Sequence, residues 1–228
     1  MFEFLFIDLD DTILDFKAQE DAAIVKTLQD AGITPTAAVC DRYSAINKAH
    51  WKRMELGEID RSQVLYGRFQ VLFQELGADA DYRAAAENYM ENLSVGHYFL
   101  PGAEAAVISL SRKFRLFLAS NGTASVQNKR LDSAGIRPYF EGIFISQDIG
   151  VNKPHRGFFD YCFDRIPGFD PRKAMIVGDS PSSDMLGGQN AGIATCWVNP
   201  HHRENRLEKA PDYEIESLTQ LEKLLESL

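Results

Sequence analysis

The chain has 228 residues and a formal net charge of −9, with 24 Lys and Arg residues against 33 Asp and Glu residues. This acidic balance argues against binding to nucleic-acid polymers or to anionic membranes, although a bound metal ion can still attract an anionic substrate locally. The hydrophobic content of 45% is sufficient for a folded core. The length suits one α/β domain of ordinary size together with a smaller inserted domain.

The cysteines and the chain start bear on the compartment. Cys40, Cys162 and Cys196 are odd in number, form no CxxC pair and lie in apolar contexts, so we expect buried free thiols in a reducing compartment. No apolar run approaches the length of a membrane span, and no basic region with a cleavage site precedes the first strand. We therefore expect a cytoplasmic protein that is a monomer or a homodimer and does not bind membranes.

The first predicted strand leads directly into carboxylates. Residues 4–9 are almost entirely apolar, which is typical of a strand buried on both faces of a parallel sheet. Asp8 and Asp10 lie two residues apart, so on an extended backbone their side chains point the same way. Burying two carboxylates at a strand end is costly unless a cation or a proton compensates. This pair is therefore a candidate functional site.

A block of helices follows. Apolar spacing and capping residues predict four helices between residues 16 and 97, at about 17–31, 36–56, 60–76 and 81–93. Asp60 and Gln63 resemble a capping box, and Gly77 follows the third helix as a stop signal. The block contains no strand signal. We predict an all-helical cap domain at 16–97, inserted after the first strand of a core formed by 1–15 and 98–228.

Strands and helices alternate in the rest of the chain. Strands are predicted at 114–119, 142–146, 174–177, 193–198 and 213–215, and helices at 102–112, 123–134, 154–165, 183–191 and 217–227, with a loop at 147–152. This alternation predicts an α/β fold with a doubly wound parallel sheet and right-handed crossovers.

Polar side chains occur at four of the predicted strand ends. Ligands of open parallel sheets bind beyond the carboxyl ends of the strands, so these side chains are expected to meet at one edge. They are Asp8 and Asp10, Ser120 and Asn121, Lys153, and Asp179 with Asp184. Four carboxylates and one lysine would partly protonate if left alone.

A divalent cation would resolve this excess of negative charge. Asp8, Asp179 and a backbone carbonyl offer the oxygen ligands that suit Mg²⁺, and the lack of His or Cys beside them argues against zinc. Ser120, the amides around Asn121 and the Lys153 ammonium could then hold a phosphate group. The sequence thus predicts a site for magnesium and a small phosphate ester.

Taken together, these motifs resemble the haloacid dehalogenase-like (HAD) superfamily, specifically its phosphatases with a helical cap. The family pattern DxDx[TV] matches residues 8–12, its strand-end Ser/Thr matches Ser120, its lysine matches Lys153, and its GDxxxxD matches 178–184. The resemblance spans essentially the whole chain. It implies a Rossmann-like core and Mg²⁺ as cofactor.

The resemblance also implies a role for each residue. Asp8 would be the nucleophile that forms an aspartyl-phosphate, and Asp10 would be the general acid and then the base. Mg²⁺ would be bound by Asp8 and Asp179 together with the main-chain carbonyl of Asp10. Lys153 would neutralise charge on the nucleophile and the phosphoryl group, and Asp184 would orient Lys153 or a metal-bound water.

Several reactions remain open on sequence grounds. Asp10 favours phosphate monoester hydrolysis over dehalogenation, because dehalogenases of this family lack an acid there. The segments 178–200 and 120–136 resemble the pyrimidine 5′-nucleotidase branch, which suggests a nucleoside 5′-monophosphate as substrate. Phosphoglycolate or sugar phosphates, a mutase reaction, and a non-enzymatic receiver-like module phosphorylated on aspartate are the alternatives.

Other polar residues receive structural interpretations. Asp11 is interpreted as a solvated turn residue, and Thr12 as a brace for its loop. His155 is expected on the surface of a helix, and the run from His201 to Arg203 is expected to be solvated.

Overall fold

The computed structural model describes all 228 residues, and these form two compact units. One unit, here called the α/β unit, combines residues 1–16 and 97–228. The other, here called the helical unit, comprises residues 17–96. None of the helices is both long and apolar enough to span a bilayer.

The α/β unit is built on a six-stranded parallel sheet with strand order β3-β2-β1-β4-β5-β6. The strands are β1 (Phe4–Ile7), β2 (Arg115–Ser120), β3 (Gly142–Ile145), β4 (Ala174–Gly178), β5 (Ala194–Val198) and β6 (Tyr213–Ile215). The chain order reverses between β1 and β4, which lie side by side at the centre. This is the switch point at which open α/β sheets bind their ligands. The predicted doubly wound parallel sheet is confirmed.

The structure has ten α-helices, numbered here in chain order. They are α1 (Phe16–Asp30), α2 (Ala37–Glu55), α3 (Arg61–Leu76), α4 (Tyr82–Leu93), α5 (Ala103–Leu110), α6 (Ala124–Ala134), α7 (Ser146–Ile149), α8 (Arg156–Phe163), α9 (Leu186–Ala191) and α10 (Leu221–Glu226).

Both faces of the sheet are covered by apolar side chains. On β1, Leu5 and Ile7 belong to one hydrophobic cluster, and Phe4 and Phe6 belong to another. All four side chains are fully buried. The alternation follows from the two-residue period of a strand, and burial on both sides explains why β1 lacks the polar alternation of a half-exposed strand.

The helical unit has its own core and its own helix stops. The rings of Tyr43, Phe69 and Tyr89 pack together, with centroids 5.0–5.4 Å apart. Asp60 and Gln63 form the predicted capping box at the start of α3. Gly77 ends this helix in the left-handed conformation, which glycine adopts without steric penalty.

The structure differs from the predicted elements at two places near the strand ends. The predicted loop 147–152 contains a short helix, α7, that starts directly after β3. The predicted helix 183–191 begins earlier, as a π-helical turn over Pro181–Met185, and continues as α9. A third difference concerns Cys40, which is only partly buried, whereas Cys162 and Cys196 are buried free thiols as expected.

Candidate active site

The candidate site begins where β1 ends. The backbone N–H of Asp8 donates to the carbonyl of Val177 at 2.9 Å, which continues the pairing of β1 with β4. The chain then turns sharply, with Asp11 in the left-handed region at φ 55° and its carboxylate accepting a hydrogen bond from the N–H of Phe16. This turn ends the strand at Asp8 and keeps its buried side chain at the carboxyl end of the sheet.

Lys153 lies at the centre of the site and is almost completely buried. Its ammonium donates to Asp8 Oδ1 at 2.8 Å, to Asp184 Oδ1 at 2.6 Å and to the carbonyl oxygen of Ala119 at 2.5 Å. Because an ammonium has three N–H groups, these contacts use all of its donors. Lys153 therefore joins the ends of β1 and β2 to the turn that follows β4.

Asn121 fixes the backbone of Lys153 from both sides. Its side-chain amide donates to the Lys153 carbonyl at 2.8 Å, and its side-chain oxygen accepts from the Lys153 N–H at 2.9 Å. The same amide also donates to the hydroxyl of Ser183 at 3.1 Å. The Asn121 side chain is thus engaged in positioning Lys153.

Asp184 is held by the turn after β4. Its Oδ2 accepts from the N–H of Ser180 at 3.1 Å, while its Oδ1 binds Lys153. Gly178 makes this arrangement possible, since a Cβ at that position would overlap the Asp184 carboxylate. A side chain on residue 178 would therefore displace the partner of Lys153.

Asp179 is anchored through its backbone. Its carbonyl oxygen accepts from the indole N–H of Trp197 at 2.9 Å and from the guanidinium of Arg203 at 2.7 Å. The same guanidinium lies 3.5 Å from Asp179 Oδ2. His201, His202 and Arg203 are exposed, as expected. The sequence did not reveal that the loop after β5 also brings the Arg203 guanidinium to Asp179.

The electrostatics of the cluster reflect its burial. Burial raises the pKa of Asp8 to about 8; Lys153 opposes the rise, and the charges of Asp184 and Asp10 add to it. Burial, followed by the charges of Asp184 and Asp8, raises the pKa of Asp179 well above its usual range. Burial alone would lower the pKa of Lys153, but Asp184 and Asp8 together hold it above its ordinary value.

A divalent cation fits this donor set. Carboxylate oxygens of Asp8, Asp179 and Asp184 all lie within 4.8 Å of one another. The three carboxylates outnumber the ammonium of Lys153 and the guanidinium of Arg203, and the neighbouring carboxylates add to the effect of burial on the pKa values of Asp8 and Asp179. Hard oxygen donors of this kind suit Mg²⁺ or Ca²⁺ rather than zinc or copper.

Asp10 lies in a separate set of contacts formed by α6. Its Oδ2 accepts from the side-chain amide of Gln127 at 2.7 Å, and its Oδ1 accepts from the guanidinium of Arg130 at 2.5 Å. The Gln127 amide also donates to the hydroxyl of Ser120 at 2.9 Å. Gly122 leaves room for this, because a Cβ there would collide with the Gln127 side chain.

The structure thus places all seven predicted site residues in the α/β unit, at the carboxyl ends of β1, β2 and β4 and in the loop after α7. Asp8, Lys153 and Asp184 are in direct contact, Asn121 contacts the Lys153 backbone, and Asp10 and Ser120 share Gln127. Sequence reasoning missed Gln127 and Arg130. The only available signal was two polar residues at i, i+3 spacing on the otherwise apolar face of a helix.

The remaining polar candidates have local roles. His155 caps α8 by accepting the N–H of Gly157 at 3.0 Å. Asp11 is a structural turn residue, as its hydrogen bond to Phe16 shows, and its interpretation as solvated was incomplete. The Thr12 hydroxyl is buried without a hydrogen-bond partner, so Thr12 contributes to the loop by packing alone.

Comparisons with known proteins assign the chain to a family. Residues 3–192 match the haloacid dehalogenase-like hydrolases, so the protein belongs to that family and is a hydrolase. The matched region includes every predicted site residue, from Asp8 to Asp184.

Two characterised relatives cover nearly the whole chain. Pyrimidine 5′-nucleotidase PynA of Streptococcus pneumoniae is 38% identical over 96% of this chain and 93% of its own. Pyrimidine 5′-nucleotidase YjjG of Escherichia coli is 34% identical over 98% of this chain and 97% of its own. The crystal structure of the HAD-hydrolase YfnB of Bacillus subtilis, bound to magnesium, has a TM-score of 0.93 and 37% identity, with 99% of each chain covered.

Proposed function

We propose that this protein is a magnesium-dependent phosphate monoester hydrolase that acts through an aspartyl-phosphate on Asp8, with nucleoside 5′-monophosphates as its substrate class. The observation that carries the proposal is the buried cluster in which Lys153 binds Asp8 and Asp184 while Asp179 lies within reach of both. A structural salt bridge needs one carboxylate for one cation, whereas this cluster sets three carboxylates against the Lys153 ammonium and the Arg203 guanidinium.

Mg²⁺ would be held by the carboxylates of Asp8 and Asp179 and by the main-chain carbonyl of Asp10, with Asp184 close by. When bound, the ion would supply positive charge that neutralises the phosphate and keeps the carboxylates ionised. Magnesium in the YfnB crystal structure supports this choice of ion.

Asp8 is the proposed nucleophile. Lys153 holds its Oδ1, which fixes the direction of the carboxylate and leaves the second oxygen for attack on phosphorus. The carboxylate must be ionised to attack, and the pKa of about 8 shows that burial opposes this until further positive charge is present. Attack forms the Asp8–phosphate bond and breaks the bond to the leaving alcohol oxygen.

Asp10 is the proposed general acid and base. It follows Asp8 by two residues and its side chain is 28% exposed, so it can meet both the leaving oxygen and an incoming water. It would protonate the departing alcohol and then take a proton from the water that attacks the aspartyl-phosphate. This second step releases inorganic phosphate and regenerates Asp8.

Ser120, the backbone N–H of Asn121 and Lys153 are the proposed phosphate-binding groups. The Ser120 hydroxyl is buried beside Gln127 and accepts the N–H of Gly122 at 3.1 Å, which fixes it at the end of β2. Since all Lys153 donors are already used within the protein, this residue would act on the phosphate mainly through its charge.

The relatives support the proposed substrate class. PynA and YjjG, both pyrimidine 5′-nucleotidases, align over nearly their full lengths, which favours a pyrimidine nucleoside 5′-monophosphate over phosphoglycolate or a sugar phosphate. The carboxylate at position 10 favours ester hydrolysis over dehalogenation, because a halide leaves without a proton.

The test is a panel of phosphate esters assayed by released phosphate. It should contain pyrimidine and purine nucleoside 5′-monophosphates, phosphoglycolate and sugar phosphates, each with Mg²⁺ and with a chelator. We expect many turnovers per chain, the highest kcat/KM for pyrimidine nucleotides, and no turnover with chelator. A single phosphate retained per chain would instead indicate a receiver-like module, and isomerised sugar phosphate would indicate a mutase.

A further inference from the structure

We propose that Gln127 and Arg130 on α6 are positioning residues for Asp10, and that Gln127 also links Asp10 to the phosphate-binding hydroxyl of Ser120. The three side chains Asp10, Gln127 and Arg130 are called the α6 clamp below. This inference rests on the proposed function for the role of Asp10, whereas the contacts themselves do not depend on it.

The first observation is that both oxygens of Asp10 are held by the clamp. Arg130 Nη1 donates to Oδ1 at 2.5 Å and Gln127 Nε2 donates to Oδ2 at 2.7 Å. Arg130 Nη1 also donates to Gln127 Oε1 at 2.9 Å, which fixes the amide orientation with its nitrogen toward Asp10. A carboxylate held at both oxygens has a defined plane, and a general acid needs this to face its leaving group.

The second observation is that Arg130 is poorly accommodated for a purely structural residue. Its side chain is fully buried, and its Nε and Nη2 have no hydrogen-bond partner. Its only ion pair is with Asp10. Buried donors without partners destabilise a fold, and native proteins retain few of them, so such a residue calls for a functional explanation.

The third observation is that the sequence makes space for Gln127 to reach two groups. The same Nε2 contacts Asp10 and, at 2.9 Å, the Ser120 hydroxyl. A Cβ on residue 122 would occupy the position of the Gln127 side chain, so Gly122 is needed for this contact. The clamp therefore connects the proposed acid on β1 with a proposed phosphate ligand on β2 through one amide.

The proposal predicts a specific kinetic signature for Arg130→Met. A nucleoside 5′-monophosphate has a poor leaving group that must be protonated, whereas p-nitrophenyl phosphate has a leaving group that departs without help. Because kcat/KM reports the steps up to phosphoryl transfer, misplacing Asp10 should affect the two esters unequally. We expect kcat/KM to fall by about 30-fold or more for the nucleotide and by about 3-fold or less for p-nitrophenyl phosphate.

Two further variants sharpen the assignment. Gln127→Leu should lower kcat/KM for both esters, because it releases the Ser120 hydroxyl that would bind the phosphate of either, and should lower it further for the nucleotide, because it also releases Asp10. Arg130→Lys keeps one positive charge and should recover part of the nucleotide activity. Arg137→Met is the matched control, since Arg137 also packs against α6 but pairs with Asp132 and Asn128 instead; both of its kcat/KM values should equal those of the wild type.

Equal losses on the two esters, or wild-type values on both, would overturn the proposal. A general disturbance of the site would produce equal losses together with a lower Tm. Arg130→Met takes the cation away from Asp10, so we expect a lower Tm than that of the wild type, and both kcat/KM values are compared per folded molecule at a temperature well below the transition. The unequal loss on the two esters, and not Tm, therefore distinguishes positioning of Asp10 from a general disturbance.

A thermal double-mutant cycle tests the clamp without any assay of activity. Asp10→Asn in the wild type leaves the buried Arg130 guanidinium without its anion, whereas in the Arg130→Met background no guanidinium remains. The Tm change caused by Asp10→Asn should therefore be more negative in the wild type than in the Arg130→Met background, by about 3 °C or more. No difference would overturn the clamp whatever the enzyme does. A difference in a protein that hydrolyses neither ester would show that the proposed function fails while the positioning of Asp10 stands.

Discussion

Each unit contains a buried network of charged side chains, and the two networks differ in their balance of carboxylates and cations. In the helical unit, Glu20 accepts from Ser44 at 2.6 Å and from Asn47 at 2.7 Å, and the buried Arg68 donates to Asn47 at 2.8 Å. One carboxylate thus faces one guanidinium through an amide. In the α/β unit, one ammonium faces the carboxylates of Asp8, Asp184 and Asp179.

The difference shows how a structural network can be told from a reactive one. The helical network is neutral, and its Arg68 also lies against the aromatic core, 4.7 Å from the ring of Tyr89. In the α/β network, burial is the main cause of the raised pKa values of Asp8 and Asp179, and the neighbouring carboxylates add to it. Like charges clustered at a buried position, which the helical network lacks, therefore mark the site of chemistry.

The largest effect is expected from removing the nucleophile. Asp8→Asn should lower kcat by at least about 10⁴-fold, because no carboxylate remains to accept the phosphoryl group. The same change removes one charge from a repulsive cluster, so the folded state should not be less stable. Phosphate release and Tm measured on the same preparation check both points; residual activity within tenfold of the wild type would show that another group is the nucleophile.

Removing the acid should have the next largest effect. Asp10→Asn should lower kcat by about 10²- to 10⁴-fold, the usual contribution of a positioned general acid or base. Rapid quenching of the reaction should reveal whether the aspartyl-phosphate accumulates. Turnover of a nucleotide at the wild-type rate would exclude Asp10 from proton transfer.

Breaking the helical network should affect stability without affecting chemistry. Arg68→Met leaves the buried Asn47 oxygen without its donor and removes the cation that faces Glu20, so the free energy of unfolding should fall by about 1–3 kcal/mol, the usual cost of a buried polar group left without a partner. The double variant Glu20→Gln, Arg68→Met should recover most of this loss. Denaturant unfolding measures the stability, and turnover per folded molecule should stay unchanged; a large fall in kcat would mean that this network is not purely structural.

The smallest effect concerns pH. Asp8 binds its proton more tightly in the folded protein, where burial raises its pKa to about 8, than in the unfolded chain, where the pKa of an aspartate is about 3.9. Between these two pKa values the folded protein holds a proton that the unfolded chain has lost, so Tm of metal-free protein should fall from about pH 4 to about pH 8 and level off above that. Mg²⁺ should raise Tm most at the alkaline end, and Asp8→Asn should flatten the slope; a slope unchanged in that variant would contradict this assignment.

Much of the fold could be predicted because its signals are local. The apolar run of β1, the glycine stops and the capping box at Asp60 each depend on a few neighbouring residues. The short helix α7 and the π-helical turn at Pro181–Met185 were missed because they depend on how the strand ends pack. Their sequences carry turn residues that suit a loop equally well.

The candidate site was predictable to the extent that its residues follow strands. Asp8, Asp10, Ser120 and Asp179 all lie at or just beyond strand ends, where topology alone brings them to one edge of the sheet. Two further residues, Gln127 and Arg130, reach the site from α6, and Arg203 reaches it from the loop after β5. Their contacts depend on how these elements pack, which the sequence alone does not show. The hydrogen bonds between the Asn121 side chain and the Lys153 backbone likewise could not be predicted from residue spacing.

Gly178 has an implication for mutational surveys of this protein. A methyl group at that position would occupy the volume of the Asp184 carboxylate. Replacing this glycine with alanine would therefore look like the loss of a reactive group, although the residue itself has no functional atom. In a scan of single substitutions, the loss of activity at Gly178 would be as large as at the aspartates, although Gly178 contributes only the space that the Asp184 carboxylate occupies.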